Sequence, residues 1–198
     1  LVREIFGLYD SSITRVFLIH GYGGSPNEGW RPWLRGELEE RGYEVVIPAM
    51  PDTHHPRVGP WVQALHDAIG EPRPDDVFVG HSLGCIAIIR YLLTLARGQT
   101  VGQCIFVAGF YEELGPEYEK LRSFLDSPID WPHVRAACPS FSVIHSDDDT
   151  AVPVYCARNL AVALEVPMEL QTGYGHFSGD DGITELPIVL EKIVARSF

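Results

Sequence analysis

The sequence predicts an α/β fold, a three-layer sandwich in which helices cover both faces of a mostly parallel sheet of about six strands. Short apolar runs that contain valine or isoleucine recur along the chain, and segments with helical spacing separate them. Strands that alternate with helices favour a parallel sheet with right-handed crossovers. A length of 198 residues suits one hydrophobic core, so we expect a single domain over residues 1–198.

Composition and charge exclude several classes of protein. The chain is 45% hydrophobic and 21% charged, which is typical of globular proteins. Its 15 basic and 27 acidic side chains give a net charge of −12, so we expect no nucleic-acid partner and no membrane partner. No apolar run reaches the roughly 18 to 20 residues of a membrane-spanning helix. The segment 1–10 also lacks the pattern of a signal peptide, and we expect a cytoplasmic protein.

Four cysteines are widely spaced and form no C-x-x-C pair. Thiols of cytosolic proteins normally stay reduced. We therefore predict buried free thiols at Cys85, Cys104, Cys138 and Cys156.

Six segments are predicted to be strands because they are short, apolar and bounded by turn residues. They are 15–20, 44–48, 76–80, 103–108, 141–145 and 168–170. In parallel sheets the reactive groups gather beyond the carboxyl ends of the strands. The loops that follow strands are therefore where functional residues are expected.

Helices are predicted between these strands from apolar residues at helical spacing. They cover 30–41, 61–69, 83–97, 154–164 and 183–196. The proline-containing stretch 49–60 is predicted to be an irregular loop. Residues 110–139 show no period and are the only segment with room for a small lid. Residues 1–14 precede the first strand as an N-terminal extension.

The sequence Gly80-His-Ser-Leu-Gly84 lies where the third predicted strand meets the next helix. It fits G-x-S-x-G, the nucleophile elbow, in which the glycines allow a strained strand-to-helix turn that exposes the serine hydroxyl. A turn serine flanked by glycines is the alternative interpretation. The predicted strand before it and helix after it favour Ser82 as a nucleophile.

A serine hydroxyl needs a base, which in hydrolases with this elbow follows an acidic residue along the chain. His176 lies in Gly173-Tyr-Gly-His-Phe177, directly after the last predicted strand. A loop histidine is often only a solvated surface residue. His176 follows both the candidate nucleophile and the candidate acids along the chain, and this position favours it as the base.

Three consecutive aspartates follow the fifth predicted strand, and only one can orient the histidine. The spacing to Pro153, which opens the next helix, puts Asp149 at the carboxyl end of the strand. We therefore predict Asp149 as the acid. Asp147 and Asp148 are expected to be solvated or to brace the loop.

Acyl transfer also needs two backbone N–H groups directed at the developing oxyanion. The residue after the nucleophile and the loop after the first strand usually supply them, which indicates Leu83 and Tyr22. The glycine-rich loop 20–24 is alternatively a phosphate-binding turn. It lacks both G-x-G-x-x-G and the G-K-[ST] ending of a P-loop, so nucleotide binding is not expected.

Aromatic residues in or beside the loops after strands are predicted to line an acyl pocket. They are Trp30, Phe110, Tyr111 and Phe177. Trp30 and Trp33 lie three apart on a predicted helix, and for them core packing is the stronger interpretation.

Two clusters resemble metal sites only superficially. His54 and His55 lie beside Asp52, but without the ligand spacing of a zinc site. Residues 147–149 lack the spacing of a calcium-binding loop. We therefore expect no metal and no cofactor.

A longer set of motifs resembles a known family. The motifs are His20-Gly-Tyr22, Trp30-Arg-Pro-Trp-Leu34, Met50-Pro51, Pro56-Arg57, Gly80 to Arg90, Val107-Ala-Gly-Phe110, Asp148 to Pro153, Gly175-His-Phe177 and Leu186-Pro-Ile-Val189. In these the chain resembles the YdeN-like small serine hydrolases, which are related to retinoblastoma-binding protein nine. The resemblance implies an α/β-hydrolase without a large cap, with a triad of Ser82, Asp149 and His176. Family members usually begin close to the first strand, and residues 1–14 depart from that pattern.

We accordingly expect a serine hydrolase, carboxylesterase-like, that acts on small-molecule esters through an acyl-enzyme. Thioesters and amides would use the same groups, and the sequence does not separate them. The alternative is a protein-interaction or scaffold protein that keeps the hydrolase fold, because fold does not determine function.

Overall fold

A computed structural model describes residues 13–195 of the chain. Apart from residues 13 and 14, the predicted N-terminal extension lies outside the described residues. The strands are β1 Arg15–Ile19, β2 Glu44–Val46, β3 Val77–His81, β4 Gln103–Val107, β5 Phe141–Ser146 and β6 Met168–Gln171. They form one parallel sheet in the order β2-β1-β3-β4-β5-β6. The six predicted strands are confirmed.

Helices cover both faces of this sheet, which confirms the predicted three-layer sandwich. They are α1 Arg31–Glu39, α2 Val58–Ile69, α3 Leu83–Leu92, α4 Trp131–Ala137, α5 Val154–Leu164 and α6 Pro187–Ala195, with a 3₁₀ helix at Pro116–Phe124. Helices α2, α3, α4 and α5 pack on one face, and α1 and α6 pack on the other.

Strand side chains alternate between the two hydrophobic clusters of the core. In β1, Phe17 and Ile19 point into the cluster under α2 and α3, whereas Val16 and Leu18 point into the cluster under α1. Side chains on a strand point alternately to opposite faces, and a parallel sheet is covered on both. This explains why the strands appear in the sequence as continuous apolar runs.

Three predicted helix bounds are wrong. α2 begins at Val58 instead of 61, because Pro60 lies in its first turn. N–H groups in a first turn have no acceptor within the helix, so proline is tolerated there. α3 ends at Leu92 instead of 97, because the backbone tightens there into three-residue turns over 91–95. α6 begins at Pro187 instead of 183, since proline disfavours the helical conformation in the residue before it.

Residues 110–139, which show no period in the sequence, contain the 3₁₀ helix and α4. Phe124 is buried, and Nε of Arg90 on α3 donates to its carbonyl oxygen at 2.7 Å. The same guanidinium donates to two further carbonyl oxygens in 127–128. The segment is thus fastened to α3, and its role as a lid stays a prediction.

The amino ends of the central strands are joined by a buried ion pair. Arg15 Nε and Nη2 lie 2.8 and 2.7 Å from the two carboxylate oxygens of Asp76. Arg15 also donates to Ile69 O and Glu71 O, and Asp76 accepts a hydrogen bond from the backbone of Arg73. Both charged groups are therefore paired and hydrogen-bonded, as burial requires.

At the carboxyl ends the strand order reverses between β1 and β3, because the chain adds β2 on one side of β1 and the later strands on the other. Such a switch point leaves a crevice beyond the strand ends, where ligands of open α/β sheets bind. All four cysteines are free and buried, as predicted. Within residues 13–195, no helix is both long and apolar enough to cross a bilayer.

Candidate active site

Ser82 forms the turn between β3 and α3 in a strained backbone conformation, with φ 54° and ψ −120°. The flanking glycines make the turn feasible, since a Cβ on Gly84 would lie 2.3 Å from Ile19 O and one on Gly80 2.8 Å from the backbone of α3. The N–H of Ser82 donates to Val107 O at 2.9 Å. The turn therefore holds Ser82 at the carboxyl end of the sheet, as the elbow motif predicts.

The loop after β1 passes directly beside this turn. A Cβ on Gly21 would lie 2.9 Å from the Cβ of Ser82, so only glycine allows this approach. His20 Nδ1–H donates to Gly21 O at 3.0 Å, and its Nε2 accepts from the N–H of Met50 at 3.2 Å. Burial lowers the pKa of His20, which keeps this bridge neutral and its tautomer defined.

His176 and Asp149 meet from the loops after β6 and β5. His176 Nδ1 lies 2.8 Å from Asp149 Oδ2, and the Asp149 side chain is wholly buried. The other carboxylate oxygen accepts from the N–H groups of Ala151 and Val152, each at 2.9 Å. These bonds orient the carboxylate toward the imidazole, and His176 must donate through Nδ1, which leaves Nε2 as an acceptor.

The last residue of β5 and the three residues after it bond to four consecutive residues after β6. The pairs are Ser146 with Tyr174, Asp147 with Gly173, Asp148 with Gly175 and Asp149 with His176, at 3.0, 3.2, 2.9 and 2.8 Å. We call residues 146–149 the brace. All three aspartates therefore bond to the loop that carries His176, and Asp147 and Asp148, although exposed, brace that loop.

Within the brace, Ser146 Oγ also donates to Asp148 Oδ1 at 2.6 Å. This hydrogen bond, together with the one from the N–H of Gly175, holds the pKa of Asp148 below its ordinary value. A carboxylate that accepts hydrogen bonds favours its charged form.

The backbone of His176 is held from two sides. Its N–H donates to Asp181 Oδ2 at 3.0 Å, and its carbonyl oxygen accepts from His81 Nε2–H at 2.7 Å. The pKa of His81 is well below its ordinary value, because burial lowers it most and the charge of His176 lowers it further. Burial alone would raise the pKa of Asp181, but hydrogen bonds from Ser178 and His176 make it lower than usual.

Ser82 and His176 line the same cavity, of about 530 Å³, at the carboxyl end of the sheet. Its wall is formed mainly by the loop after β1 and by residues 176–181, and Arg31 also lines it. Within residues 13–195 no hydrogen bond joins Ser82 Oγ to the imidazole of His176. Catalytic hydrogen bonds of this kind often tighten only in the complex with substrate.

The N–H groups of Tyr22 and Leu83 have no acceptor among residues 13–195. Leu83 is the first residue of α3, where helical N–H groups are left without a partner. Tyr22 lines the cavity with Ser82. Lys120 of the 3₁₀ helix hydrogen-bonds to the phenol of Tyr22 and lies 4.2 Å from the centre of its ring.

The aromatic residues predicted to line a pocket separate into different environments. Phe177 lines the cavity that holds Ser82, although its side chain is buried. Phe110 lines a second cavity, of about 520 Å³, together with residues of the 3₁₀ helix. The two cavities are lined by different residues.

The pocket role predicted for Trp30 is wrong. Its side chain is 1% exposed and packs in the core cluster under α1, where Nε1 donates to Phe177 O at 3.0 Å. Trp33 is half-buried against the same cluster. Tyr111 lines neither cavity and packs edge-on against Trp131, with ring centres 4.9 Å apart. The helical spacing of the two tryptophans indicates core packing, and both pack in or against the core cluster under α1.

Sequence reasoning missed three residues near Ser82. His81 lies inside the elbow motif and could have been found there, since it is next to the nucleophile. Arg31 follows Trp30 in the motif Trp30-Arg-Pro-Trp-Leu34, but the motif alone indicates no role for it. Asp181 carries no sequence signal, because its contact with His176 depends on how the loop folds.

No group of three or more histidine, cysteine or carboxylate side chains converges on a metal-binding geometry within the described part of the chain. Behind Asp149, the buried ring of His145 donates through Nε2 to Val152 O at 2.9 Å. Burial lowers the pKa of His145.

Comparison with known proteins identifies the family of the chain. Residues 16–195 match a protein family described as serine hydrolase. The chain is 34% identical over 182 residues to the hydrolase YdeN of Bacillus subtilis, which covers 91% of this chain and 95% of that protein. It is 28% identical over 174 residues to serine hydrolase RBBP9 of Rattus norvegicus, covering 86% and 91% of the two chains.

Solved structures share the fold of the chain. The crystal structure of YdeN from B. subtilis superposes with a TM-score of 0.88 at 32% identity, covering 92% of this chain and 97% of that one. Est1E from Butyrivibrio proteoclasticus superposes with a TM-score of 0.66 at 16% identity, covering 92% and 89%, which bears on the fold alone.

Proposed function

The chain belongs to the serine hydrolase family, and from this premise we propose that it cleaves small carboxylic esters through Ser82, His176 and Asp149. The contact that carries the proposal is the 2.8 Å pairing of His176 Nδ1 with the buried carboxylate of Asp149. Of this pair, His176 lines the cavity that Ser82 also lines. A volume of about 530 Å³ is in the range of small-molecule sites.

In the proposed reaction, Nε2 of His176 takes the proton of Ser82 Oγ as Oγ attacks the carbonyl carbon. The alcohol then leaves with that proton, and an acyl-enzyme remains. Water attacks the acyl-enzyme by the same route and restores Ser82. Thioesters and amides would follow the same steps with a thiol or an amine as the leaving group.

Asp149 has two functions in this scheme. It accepts a hydrogen bond from Nδ1–H and so keeps Nε2 available as a base, and its charge stabilises the imidazolium that forms. Its second oxygen is already bound to the N–H groups of Ala151 and Val152. The carboxylate therefore needs no reorganisation when the proton moves, which favours catalysis.

The N–H groups of Tyr22 and Leu83 are the proposed oxyanion hole. They come from the two loops at the switch point, and neither has an acceptor in the described part of the chain. The residue after the nucleophile and the loop after the first strand supply these donors in α/β-hydrolases. A donor of this kind is typically worth about 10²- to 10³-fold in turnover.

Residues 110–139 are the proposed small lid, since Lys120 contacts Tyr22 at the rim of the cavity. The cytoplasm is the proposed compartment, which four free and buried thiols support.

Covalent labelling with a fluorophosphonate probe, followed by peptide mass spectrometry, tests the nucleophile. We expect labelling of the native protein at Ser82 and none in Ser82→Ala or His176→Ala, because the probe reports an activated serine. Ester hydrolysis should fall in both variants by on the order of 10⁴-fold or more.

Ser178→Ala is the matched control, because Ser178 lines the same cavity and bonds to Asp181. That variant should still be labelled at Ser82. An unlabelled native protein, or a label on another residue, would contradict the proposal and favour a binding role.

A further inference from the structure

Arg31 lies in the wall of the cavity that holds Ser82, and the proposed triad does not use it. Its side chain is 5% exposed, at the first position of α1. A guanidinium stays protonated in proteins. A nearly buried positive charge therefore borders the space that a substrate would enter.

The guanidinium is only partly satisfied by the protein. Nε and Nη2 both donate to Ser25 O, at 3.2 and 2.9 Å. The nearest carboxylate oxygen, Glu28 Oε2, lies 3.9 Å from Nη2, and the Glu28 side chain is 57% exposed. Nη1 has no acceptor within residues 13–195, and the Arg31 side chain lines the cavity. It is an unused charged donor.

Three carboxylates line the same wall, but each is compensated or solvated. One oxygen of Asp181 already accepts three hydrogen bonds, from Ser178 and from the N–H of His176. Glu28 and Asp180 are exposed, where water and salt screen their charge. A buried charge acts through a lower effective dielectric constant. Among the arginine and carboxylate side chains that line the cavity, the buried one is therefore positive.

We propose that Nη1 of Arg31 binds a carboxylate of the substrate, so that the enzyme prefers esters that carry a second, free carboxylate. This inference rests on the proposed function of Ser82. A charge-assisted hydrogen bond of this kind corresponds to a factor of roughly 10 to 100 in binding. A neutral group of the same shape would lose most of that factor.

Two pairs of substrates test the preference on either side of the scissile bond. On the leaving-group side, 4-acetoxybenzoate is compared with neutral 4-acetoxybenzamide. On the acyl side, mono-4-nitrophenyl adipate is compared with the 4-nitrophenyl ester of adipic acid monoamide. For each substrate, kcat/KM of the native enzyme is divided by that of the variant, which cancels the intrinsic reactivity of the ester.

Arg31→Met keeps an unbranched side chain and removes the donor. It should lower kcat/KM for at least one of the carboxylate substrates by about tenfold or more, and for its amide partner by less than about threefold. Arg35→Met is the matched control, one turn further along α1 and outside the cavity lining. It should change neither member of a pair.

Fluorophosphonate labelling of Ser82 separates this inference from the function on which it rests. An unlabelled native enzyme would overturn the proposed function itself. If both native enzyme and Arg31→Met are labelled, equal losses for carboxylate and amide would overturn the role of Arg31 alone. If Arg31→Met is not folded, Arg31→Lys replaces it, because its retained charge should preserve part of the preference for the carboxylate.

Discussion

At the amino ends of β1 and β3 a buried ion pair joins Arg15 to Asp76, whereas at the carboxyl ends of the same strands the chain turns into the loops around Ser82. In the ion pair, both carboxylate oxygens are bound, and neither Arg15 nor Asp76 has a positive φ. At the other end, Ser82 has a positive φ and Ser82 and His176 border a cavity. Strained backbone persists only where the surrounding structure holds it in place, and it concentrates at functional sites.

One set of strands thus separates stability from chemistry along its length. Each end can therefore be disrupted independently. A substitution at the amino end should mainly lower the free energy of unfolding, and a substitution in the brace should mainly lower kcat.

The largest effect on stability is expected at the amino end. Asp76→Ala leaves the buried charge of Arg15 without its partner, so the free energy of unfolding should fall by about 3–5 kcal/mol. Urea denaturation measures this. For the fraction that stays folded, kcat/KM toward a neutral ester should change by less than about twofold, because the pair is remote from the cavity.

Asp75→Ala is the control, since Asp75 is the preceding residue and is only half-buried. Its unfolding free energy should stay within about 0.5 kcal/mol of the native value. A loss below about 1 kcal/mol for Asp76→Ala would show that the ion pair does not stabilise this end.

A smaller effect, on activity rather than stability, is expected from the brace. Asp148→Ala removes the acceptor for the N–H of Gly175, directly before His176. We expect kcat to fall about tenfold with little change in KM, since the imidazole is less well positioned. Asp148→Asn keeps an oxygen acceptor and should recover most of the loss.

Two controls make this prediction specific. Glu185→Ala removes an exposed carboxylate that follows the same loop and should leave kcat unchanged. In a His176→Ala background, Asp148→Ala should cause no further loss, because it acts through the imidazole. A further tenfold loss there would mean that Asp148 acts on another part of the site.

The smallest effect is a pH dependence of stability that originates at the carboxyl end. Burial lowers the pKa values of His20, His81 and His145. Below the unfolded value of about 6.5, the unfolded chain therefore binds more protons than the folded one, and stability falls as the pH is lowered. Unfolding free energies at pH 7.5 and 5.5 should show this loss.

His145→Gln tests one contributor, because glutamine can still donate to Val152 O but cannot titrate. The difference between the two pH values should shrink in this variant. His55 is 80% exposed, so in His55→Gln the difference in unfolding free energy between the two pH values should equal that of the native protein. An unchanged difference in His145→Gln would remove His145 from the explanation.

Much of the fold could be predicted because its information is local. The apolar runs of the strands and the elbow glycines are determined by neighbouring residues, and the structure places them as expected. Helix bounds failed where local rules compete, as at Pro60, which breaks a helix interior but is accommodated in a first turn. The pocket role of Trp30 was wrong and the core packing favoured by its helical spacing was right, because an aromatic residue beside a loop can point either into a cavity or into the core.

The motifs in the sequence establish the chain order of Ser82, Asp149 and His176, and hence the class of chemistry to expect. The contacts of residues 146–149 with the loop of His176, and the place of Arg31 in the lining of the cavity, are visible only in the folded chain. A motif records spacing along one segment, whereas these contacts depend on how segments far apart in sequence approach each other in space.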